Sequence, residues 1–204
     1  MATTGNMIPG YRVWEYMLVI RPHEELQQRI AVLRQSFFKE YKMEGKPSAQ
    51  AQLVLASFNQ YEMMEERICN RLQQIAMACP PFRIELNDYG SFPAHTIYIN
   101  VATRAPLLEL VRTVRSQTGR LMKRADDQKP HFITDPHITM GTKLKPWQYE
   151  KGWLEYHRRS FHGKFIAAEM ILLRRAEGEA RFHPYRQFEF RNLPVVTKQG
   201  ELFG

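Results

Sequence analysis

The chain has 204 residues, of which 44% are hydrophobic and 25% are charged. These values are ordinary for a folded globular protein and exclude a disordered or collagen-like chain. No apolar run reaches the roughly 18 residues that a membrane span needs, so we expect a protein that does not cross a bilayer. Residues Met1–Gly10 have neither the basic nor the apolar region of a secretory signal. A cytoplasmic location is therefore expected.

The charge balance is basic, with 29 Lys and Arg against 21 Asp and Glu, a net charge of +8. Such a balance favours anionic partners but does not indicate a fold. Seven basic residues lie between Arg104 and Lys129, which fits either a solvated helix face or a surface for nucleotide or RNA phosphates. Two cysteines, Cys69 and Cys79, cannot form a disulfide framework or a four-cysteine zinc site, and no metal or cofactor is expected.

The first half of the chain alternates strand-like and helix-like patterns. Runs of β-branched and aromatic residues predict strands, and apolar residues at helical spacing predict amphipathic helices. The elements predicted there are a strand Arg12–Ile20, a helix Glu24–Tyr41, a strand Gln52–Phe58, a helix Tyr61–Cys79 and a strand Phe82–Leu86. The break after the first helix is Gly45–Ser48.

The second half repeats this order after a predicted turn at Asn87–Gly90. Its elements are a strand Thr96–Val101, a helix Leu107–Leu121, a strand Pro136–Gly141, a helix Pro146–Tyr156 and a strand Ala168–Leu173. The shared order, offset by about 85 residues, indicates a duplicated unit. Two such units facing each other would enclose a cleft.

The strongest local motif is His137-Ile138-Thr139-Met140, which follows Asp135-Pro136. Residues two apart on a strand share a face, so the imidazole and the hydroxyl would point together while Ile138 and Met140 enter the core. A proton carrier beside a hydroxyl makes half of a phosphoryl site. Taken alone, this motif fits a core histidine equally well.

The repeat offset locates a counterpart of the His137 motif in the first half of the chain. Displacing His137 by the repeat offset gives Gln52, in the strand Gln52-Leu53-Val54-Leu55. The sequence here resembles the 2H phosphoesterases, often named 2′-5′ RNA ligases, also in the segments His95–Val101 and Lys145–Trp153. The resemblance implies two lobes that each contribute an H-x-[ST] strand to one cleft. It also implies that one histidine is the general base and the other the general acid on a 2′,3′-cyclic phosphate, without a metal.

The first of the two motifs is degenerate, because Gln52 and Val54 stand where histidine and threonine belong. Glutamine can donate a hydrogen bond to a phosphoryl oxygen but cannot carry the proton, and valine cannot bind phosphate. Loss of one acid or base typically costs about 10²–10⁴ in rate. Whether the chain is an enzyme is therefore left open.

Other histidines give weaker signals. His95 has Thr96 on the opposite strand face, so it either lines the cleft as a substrate-binding residue or lies at the surface. It is the only substitute proton carrier that the sequence places near the site. A metal cluster of His131, Asp135 and His137 is disfavoured by the strand geometry. His157 and His162 are assigned to a solvated loop.

We therefore predict an α+β fold of two pseudo-symmetric lobes, each an antiparallel sheet with outer helices, around a central cleft. Lobe 1 would cover about residues 11–90 and lobe 2 about residues 91–175, with a C-terminal strand and tail over 176–204. The strand Tyr185–Phe190 would form a hairpin with Met170–Arg175.

The predicted function is that of a 2H phosphoesterase acting on RNA ends or nucleotides that carry a 2′,3′-cyclic or 2′-5′ phosphodiester. His137 would be the general acid or base and Thr139 would bind a phosphoryl oxygen, with Gln52, Val54 and His95 on the substrate side. Two alternatives stay open. One is a non-catalytic RNA-end or nucleotide-binding module that uses the same cleft, and the other is a basic scaffold that binds RNA through the Arg104–Lys129 stretch.

Overall fold

The computed structural model describes residues 11–47 and 50–194. The N-terminal segment, Ser48 of the predicted break and the tail beyond residue 194 lie outside the described residues. The elements are β1 Val13–Ile20, α1 Glu24–Glu40, β2 Leu53–Tyr61, a 3-10 turn Glu62–Met64, α2 Glu65–Ala78, β3 Phe82–Phe92, β4 Thr96–Val101, α3 Ala105–Met122, β5 His131–Phe132, β6 His137–Thr142, α4 Pro146–Tyr156, β7 His162–Ala167, β8 Glu169–Ala176 and β9 His183–Glu189.

The strands form two antiparallel sheets. The five-stranded sheet has the order β5-β2-β1-β8-β9 and the four-stranded sheet the order β6-β4-β3-β7. This architecture confirms the predicted α+β fold with two lobes around a cleft. Each sheet draws strands from both sides of residue 90, because β3 joins the four-stranded sheet while β5, β8 and β9 join the five-stranded one. The predicted hairpin of the C-terminal strand with β8 is also present.

The pseudo-symmetry is visible in an exchange of helices between the sheets. Helix α1 follows β1 of the five-stranded sheet and packs on β6 of the four-stranded sheet, whereas α3 follows β4 of the four-stranded sheet and packs on β2 of the five-stranded sheet. Each of these two helices therefore packs on the sheet that does not contain the strand before it. Since both lobes gain a hydrophobic face from this exchange, neither is a separate body.

Helix α1 begins with acidic residues, which favour a helix start, and its apolar face is buried at the junction of the two lobes. Its first turn carries Glu24 and Glu25, where the helix dipole favours negative charge. Leu26, Ile30 and Phe37 are buried along one face. Phe37 packs edge-on against Tyr156 of α4 with ring centroids 5.2 Å apart. These aromatic contacts fix α1 and α4 over the four-stranded sheet.

The predicted turn at Asn87–Gly90 is wrong, because β3 continues through it to Phe92. The register with β4 shifts between Leu86 and Tyr89, and Asp88 adopts a positive φ of 56°. The carboxylate of Asp88 accepts a hydrogen bond from the Phe161 backbone at 3.0 Å. The turn-forming residues therefore build a β-bulge, which satisfies the same backbone preferences without ending the strand.

Strand β7 was not predicted, and the assignment of His162 to a loop is wrong. His162 begins β7 and pairs with Asn87 of β3. Alternation along β7 is visible, with Phe165 and Ala167 buried, but Gly163 and exposed Ile166 weaken the pattern. Among the described residues, no helix is long and apolar enough to span a membrane.

Candidate active site

The second motif lies on β6, at the edge of the four-stranded sheet. Ile138 and Met140 are buried, 0% and 2% exposed, while His137 and Thr139 between them are half-buried on the other face. The buried face packs under α1 and α4, so His137 and Thr139 lie on the face that these helices leave uncovered, here called the cleft face. The predicted alternation of this motif is confirmed.

The imidazole of His137 is held by its backbone and by two aromatic rings. Its Nδ1 lies 2.7 Å from the carbonyl oxygen of Asp135. A carbonyl only accepts, so Nδ1 carries the hydrogen and Nε2 is the nitrogen that can exchange a proton. The rings of Phe92 and Tyr98 lie 5.0 and 4.8 Å from the imidazole, measured between centroids. The ring of His137 is therefore fixed in orientation and tautomer.

The aromatic support of His137 depends on a glycine in β3. Tyr98 is opposite Thr139 in the register and is 8% exposed. A Cβ placed on Gly90 would lie 2.5 Å from both Tyr98 Cε2 and Asn100 Oδ1. Only glycine leaves room for this packing. Burial raises the pKa of Tyr98, so its hydroxyl stays protonated at neutral pH.

Gln52 and Val54 lie on the cleft face of the five-stranded sheet. The amide Nε2 of Gln52 is 3.4 Å from Met17 Sδ, while the next residue, Leu53, is fully buried on the helix side. Val54 pairs with Val19 and packs in a small apolar cluster separate from the main core. The position of the first motif's threonine is therefore part of an apolar patch.

Arg21 brings positive charge to this first-motif position, and sequence reasoning missed it. Its Nη2 lies 3.5 Å from Gln52 Oε1. Burial lowers the pKa of Arg21, yet a guanidinium remains charged at neutral pH. A signal was available, because alternation from Met17 and Val19 puts Arg21 on the face of Gln52 once β1 is paired with β2.

A buried arginine of α1 connects the two motif segments. Arg34 is 5% exposed, donates from Nε to the Thr139 carbonyl at 2.8 Å and donates from Nη1 to the Gln50 carbonyl at 2.9 Å. Both oxygens contact one planar guanidinium, so they are at most about 8 Å apart. Burial lowers the pKa of Arg34 to about 10, which keeps it charged at neutral pH. The second motif is thereby held beside the segment that leads into Gln52.

Two other histidines that the sequence singled out are His95 and His131. His95 is exposed at the β3–β4 hairpin, with Nδ1 2.6 Å from Thr96 Oγ1. Its ring centroid is 6.3 Å from that of Phe92, which also contacts His137, so Phe92 lies between the two histidines. His131 is opposite Ser57 on β5, a two-residue strand too short for a periodicity signal.

The basic Arg104–Lys129 stretch carries its cations mostly on the exposed face of α3 and on the segment after it, where several form ion pairs. Three of its cations have carboxylate partners, in the pairs Arg104–Asp135, Arg112–Glu109 and Lys123–Asp126. These exposed pairs reduce the positive charge that the stretch presents to solvent. Within residues 11–47 and 50–194 there is no group of three His, Cys, Asp or Glu side chains arranged to hold a metal ion.

Similar structures share this two-lobed fold. E. coli LigT in its apo form is 18% identical, with a TM-score of 0.65 over 87% of this chain and 98% of that chain. E. coli LigT complexed with 3′-AMP is 17% identical, with a TM-score of 0.67 over the same shares. TT0787 of Thermus thermophilus is 18% identical, with a TM-score of 0.64 and again 87% and 98% covered. At these identities the likeness shows the fold.

Family membership comes from the sequence itself. None of the curated proteins matches the chain. The model of the 2′-5′ RNA ligase superfamily matches residues 22–179, a range that includes Gln52, His95 and the His137 motif. The resemblance to the 2H phosphoesterases is thereby confirmed, and the chain belongs to the 2′-5′ RNA ligase superfamily.

Proposed function

We propose that this chain acts on RNA ends or nucleotides with a 2′,3′-cyclic or 2′-5′ phosphodiester, through metal-independent acid–base chemistry of His137. The carrying observation is that the Asp135 carbonyl holds Nδ1 of His137, which leaves Nε2 for proton exchange beside Thr139. LigT was crystallised with 3′-AMP, so a protein of this fold binds a nucleotide. Family membership supports the same substrate class.

In this proposal one proton carrier is aided by groups that bind the anion. When water attacks the phosphorus of a cyclic phosphate, the P–O bond to one ribose oxygen breaks. Water loses a proton and the leaving oxygen gains one. His137 performs one of these transfers and solvent performs the other. The Thr139 hydroxyl, the Gln52 amide and the Arg21 guanidinium bind the non-bridging oxygens, and His95 lines the outer part of the cleft.

The missing first histidine sets the expected rate. Removal of one acid or base typically lowers the rate by about 10²–10⁴, so we expect turnover below that of two-histidine members of the superfamily by this factor. Val54 contributes no phosphate contact in this scheme. Arg21 offsets part of the loss by stabilising charge, although it transfers no proton.

The test is turnover of a nucleoside 2′,3′-cyclic phosphate with a chelator present. The variants are His137→Ala, Gln52→His and the double variant Gln52→His/Val54→Thr, which rebuilds the first motif. We expect His137→Ala to abolish turnover and the double variant to raise it by about tenfold or more. His157→Ala, in an exposed histidine beyond α4, is the matched control and leaves the rate unchanged.

Two results would contradict the proposal. Equal turnover in the wild type and His137→Ala would mean that another group carries the proton. Binding of the nucleotide without turnover in any variant would mean that the cleft is a binding module.

A further inference from the structure

A cavity of about 420 Å³ opens on the cleft face of the five-stranded sheet, beyond Gln52. It is called the Lys129 cavity here, and its lining includes Met17, Asn59, Lys129, His131, Arg175 and Phe182. Met17 connects it to the candidate active site, because its Sδ also contacts the Gln52 amide at 3.4 Å. The cavity therefore continues the same surface that carries Gln52.

The strand register places three rows of side chains around this cavity. Ser57 of β2 pairs with Met17 on one side and with His131 on the other. Residues directly opposite in neighbouring strands project from the same face, so His131 shares the face of Met17 and Gln52. Lys129 and His131 are both exposed at the rim. A cation and a titratable imidazole thus stand at one edge of the cavity.

The opposite wall holds a fixed guanidinium against an aromatic ring. Arg175 donates two hydrogen bonds to Glu15 Oε2, from Nε at 2.8 Å and from Nη2 at 2.5 Å. Its Cζ lies 4.4 Å from the centroid of the Phe182 ring. Planar guanidinium groups and aromatic rings are the surfaces on which single-stranded RNA bases stack. The cavity therefore combines a stacking wall with a cationic rim.

The spacing along β2 favours a ligand longer than a mononucleotide. Ser57 lies five residues after Gln52, about 16 Å along an extended strand. A short oligonucleotide with one phosphate at Gln52 and His137 can place its next unit along this path, in the Lys129 cavity. The volume is in the range of small-ligand sites and fits one nucleotide unit.

We propose that the Lys129 cavity is a second nucleotide subsite, which binds a unit of single-stranded RNA distant from the phosphodiester at His137. Lys129 and His131 contact its phosphate, and Arg175 with Phe182 stacks its base. This inference rests on the proposed function, because it names the substrate as an oligonucleotide. It also gives one residue of the basic Arg104–Lys129 stretch a direct role on the cleft face.

The experiment compares two ligands by calorimetry at one fixed salt concentration, because phosphate contacts depend on salt. The ligands are adenosine 3′-monophosphate and an RNA trinucleotide with a 3′-phosphate. We expect Lys129→Ala/His131→Ala to weaken trinucleotide binding by about tenfold and to leave mononucleotide binding within about twofold. Asn59→Asp, which adds negative charge at an exposed lining position, weakens trinucleotide binding in the same direction.

The matched control removes the same two residue types elsewhere. His162→Ala/Lys164→Ala alters another open cavity, at β3 and β7, and leaves both affinities unchanged. Equal trinucleotide affinity in the wild type and Lys129→Ala/His131→Ala overturns the subsite, whatever His137→Ala does. Conversely, if only the His137→Ala turnover test fails while the trinucleotide effect holds, the proposed chemistry is overturned and the subsite stands.

Discussion

Replacement of Arg34 by methionine tests whether one buried guanidinium holds the two motif segments together. Arg34 donates to the carbonyl of Thr139, in the second motif, and to the carbonyl of Gln50, two residues before Gln52. Methionine fills a similar volume but donates no hydrogen bond. The Arg34→Met variant therefore removes the polar connection while leaving most of the packing intact.

The magnitude follows from the bonds and the burial. Two charge-assisted hydrogen bonds contribute about 1.5–3 kcal/mol each, and both part-buried carbonyls lose this donor in the variant. Removal of a buried cation recovers part of its desolvation cost. We expect a net loss of about 2–4 kcal/mol in the free energy of unfolding. For a chain of this size the melting temperature would fall by roughly 5–15 °C.

The effect on nucleotide binding should exceed the effect of lost stability alone. A misplacement of about 1 Å can cost about 10²-fold in a site that needs fixed geometry. Binding of adenosine 3′-monophosphate is measured by calorimetry well below the melting temperature, and stability by urea unfolding. Arg34→Lys keeps the charge but loses the planar fork, so we expect intermediate values for both quantities.

Arg29→Met is the matched control on the same helix. Arg29 also donates to a backbone carbonyl, that of His162, at 2.8 Å, but in an exposed setting. We expect Arg29→Met to lose less than about 1 kcal/mol in the free energy of unfolding and to keep its nucleotide affinity. If Arg34→Met loses no more stability and no more affinity than Arg29→Met, the reasoning about the connection between the motifs is refuted.

Two further predictions concern packing and pH. Gly90→Ala forces Tyr98 and Asn100 to move. We expect a loss of about 1–3 kcal/mol in the free energy of unfolding, measured by urea unfolding, and weaker nucleotide binding, measured by calorimetry. An unchanged affinity would mean that this packing does not support His137. Burial raises the pKa of Tyr41 and Tyr185 to about 12 in the folded chain, above the ordinary value of 10.0. The stabilisation from these two protonated tyrosines is complete below pH 10 and is lost as the pH rises to about 12. The unfolding free energy measured against pH should therefore decline less steeply in Tyr185→Phe than in the wild type. An equally steep decline in the variant would contradict the raised pKa of Tyr185.

Most helices and strands could be predicted from the sequence because their patterns are local and recur in the same order. The helix over Pro146–Tyr156 and the strand containing His137 carry clear periodicity, and the structure has them within a residue of the predicted bounds. The sheet membership was less accessible, because the exchange of α1 and α3 between lobes depends on contacts across the whole chain. The bulge at Asp88 used turn residues inside a strand, which no local pattern separates from a turn.

The candidate site, too, was predicted from the sequence in part and missed in part. Alternation along β6 correctly put Ile138 and Met140 in the core, and therefore put His137 and Thr139 on the opposite face. Arg21 was missed because it follows the apolar run of β1, where a charged residue usually signals the end of a strand. Only the pairing of β1 with β2 makes it a neighbour of Gln52.

The first-motif position illustrates how a site can change its chemistry without losing its charge. Gln52 retains hydrogen-bonding capacity but no titratable proton, and Arg21 stands next to it with a permanent positive charge. Such a pair can bind an anion at any pH at which the protein is folded, whereas a histidine binds it best when protonated. Under the proposed function, the Gln52 side of the cleft therefore binds the anion through the permanent charge of Arg21. Arg21→Met should weaken the binding of adenosine 3′-monophosphate by about tenfold, measured by calorimetry at one fixed pH and salt concentration, whereas Arg29→Met should leave it unchanged. Equal affinity in the wild type and Arg21→Met would mean that Gln52 and Arg21 are not where the anion binds.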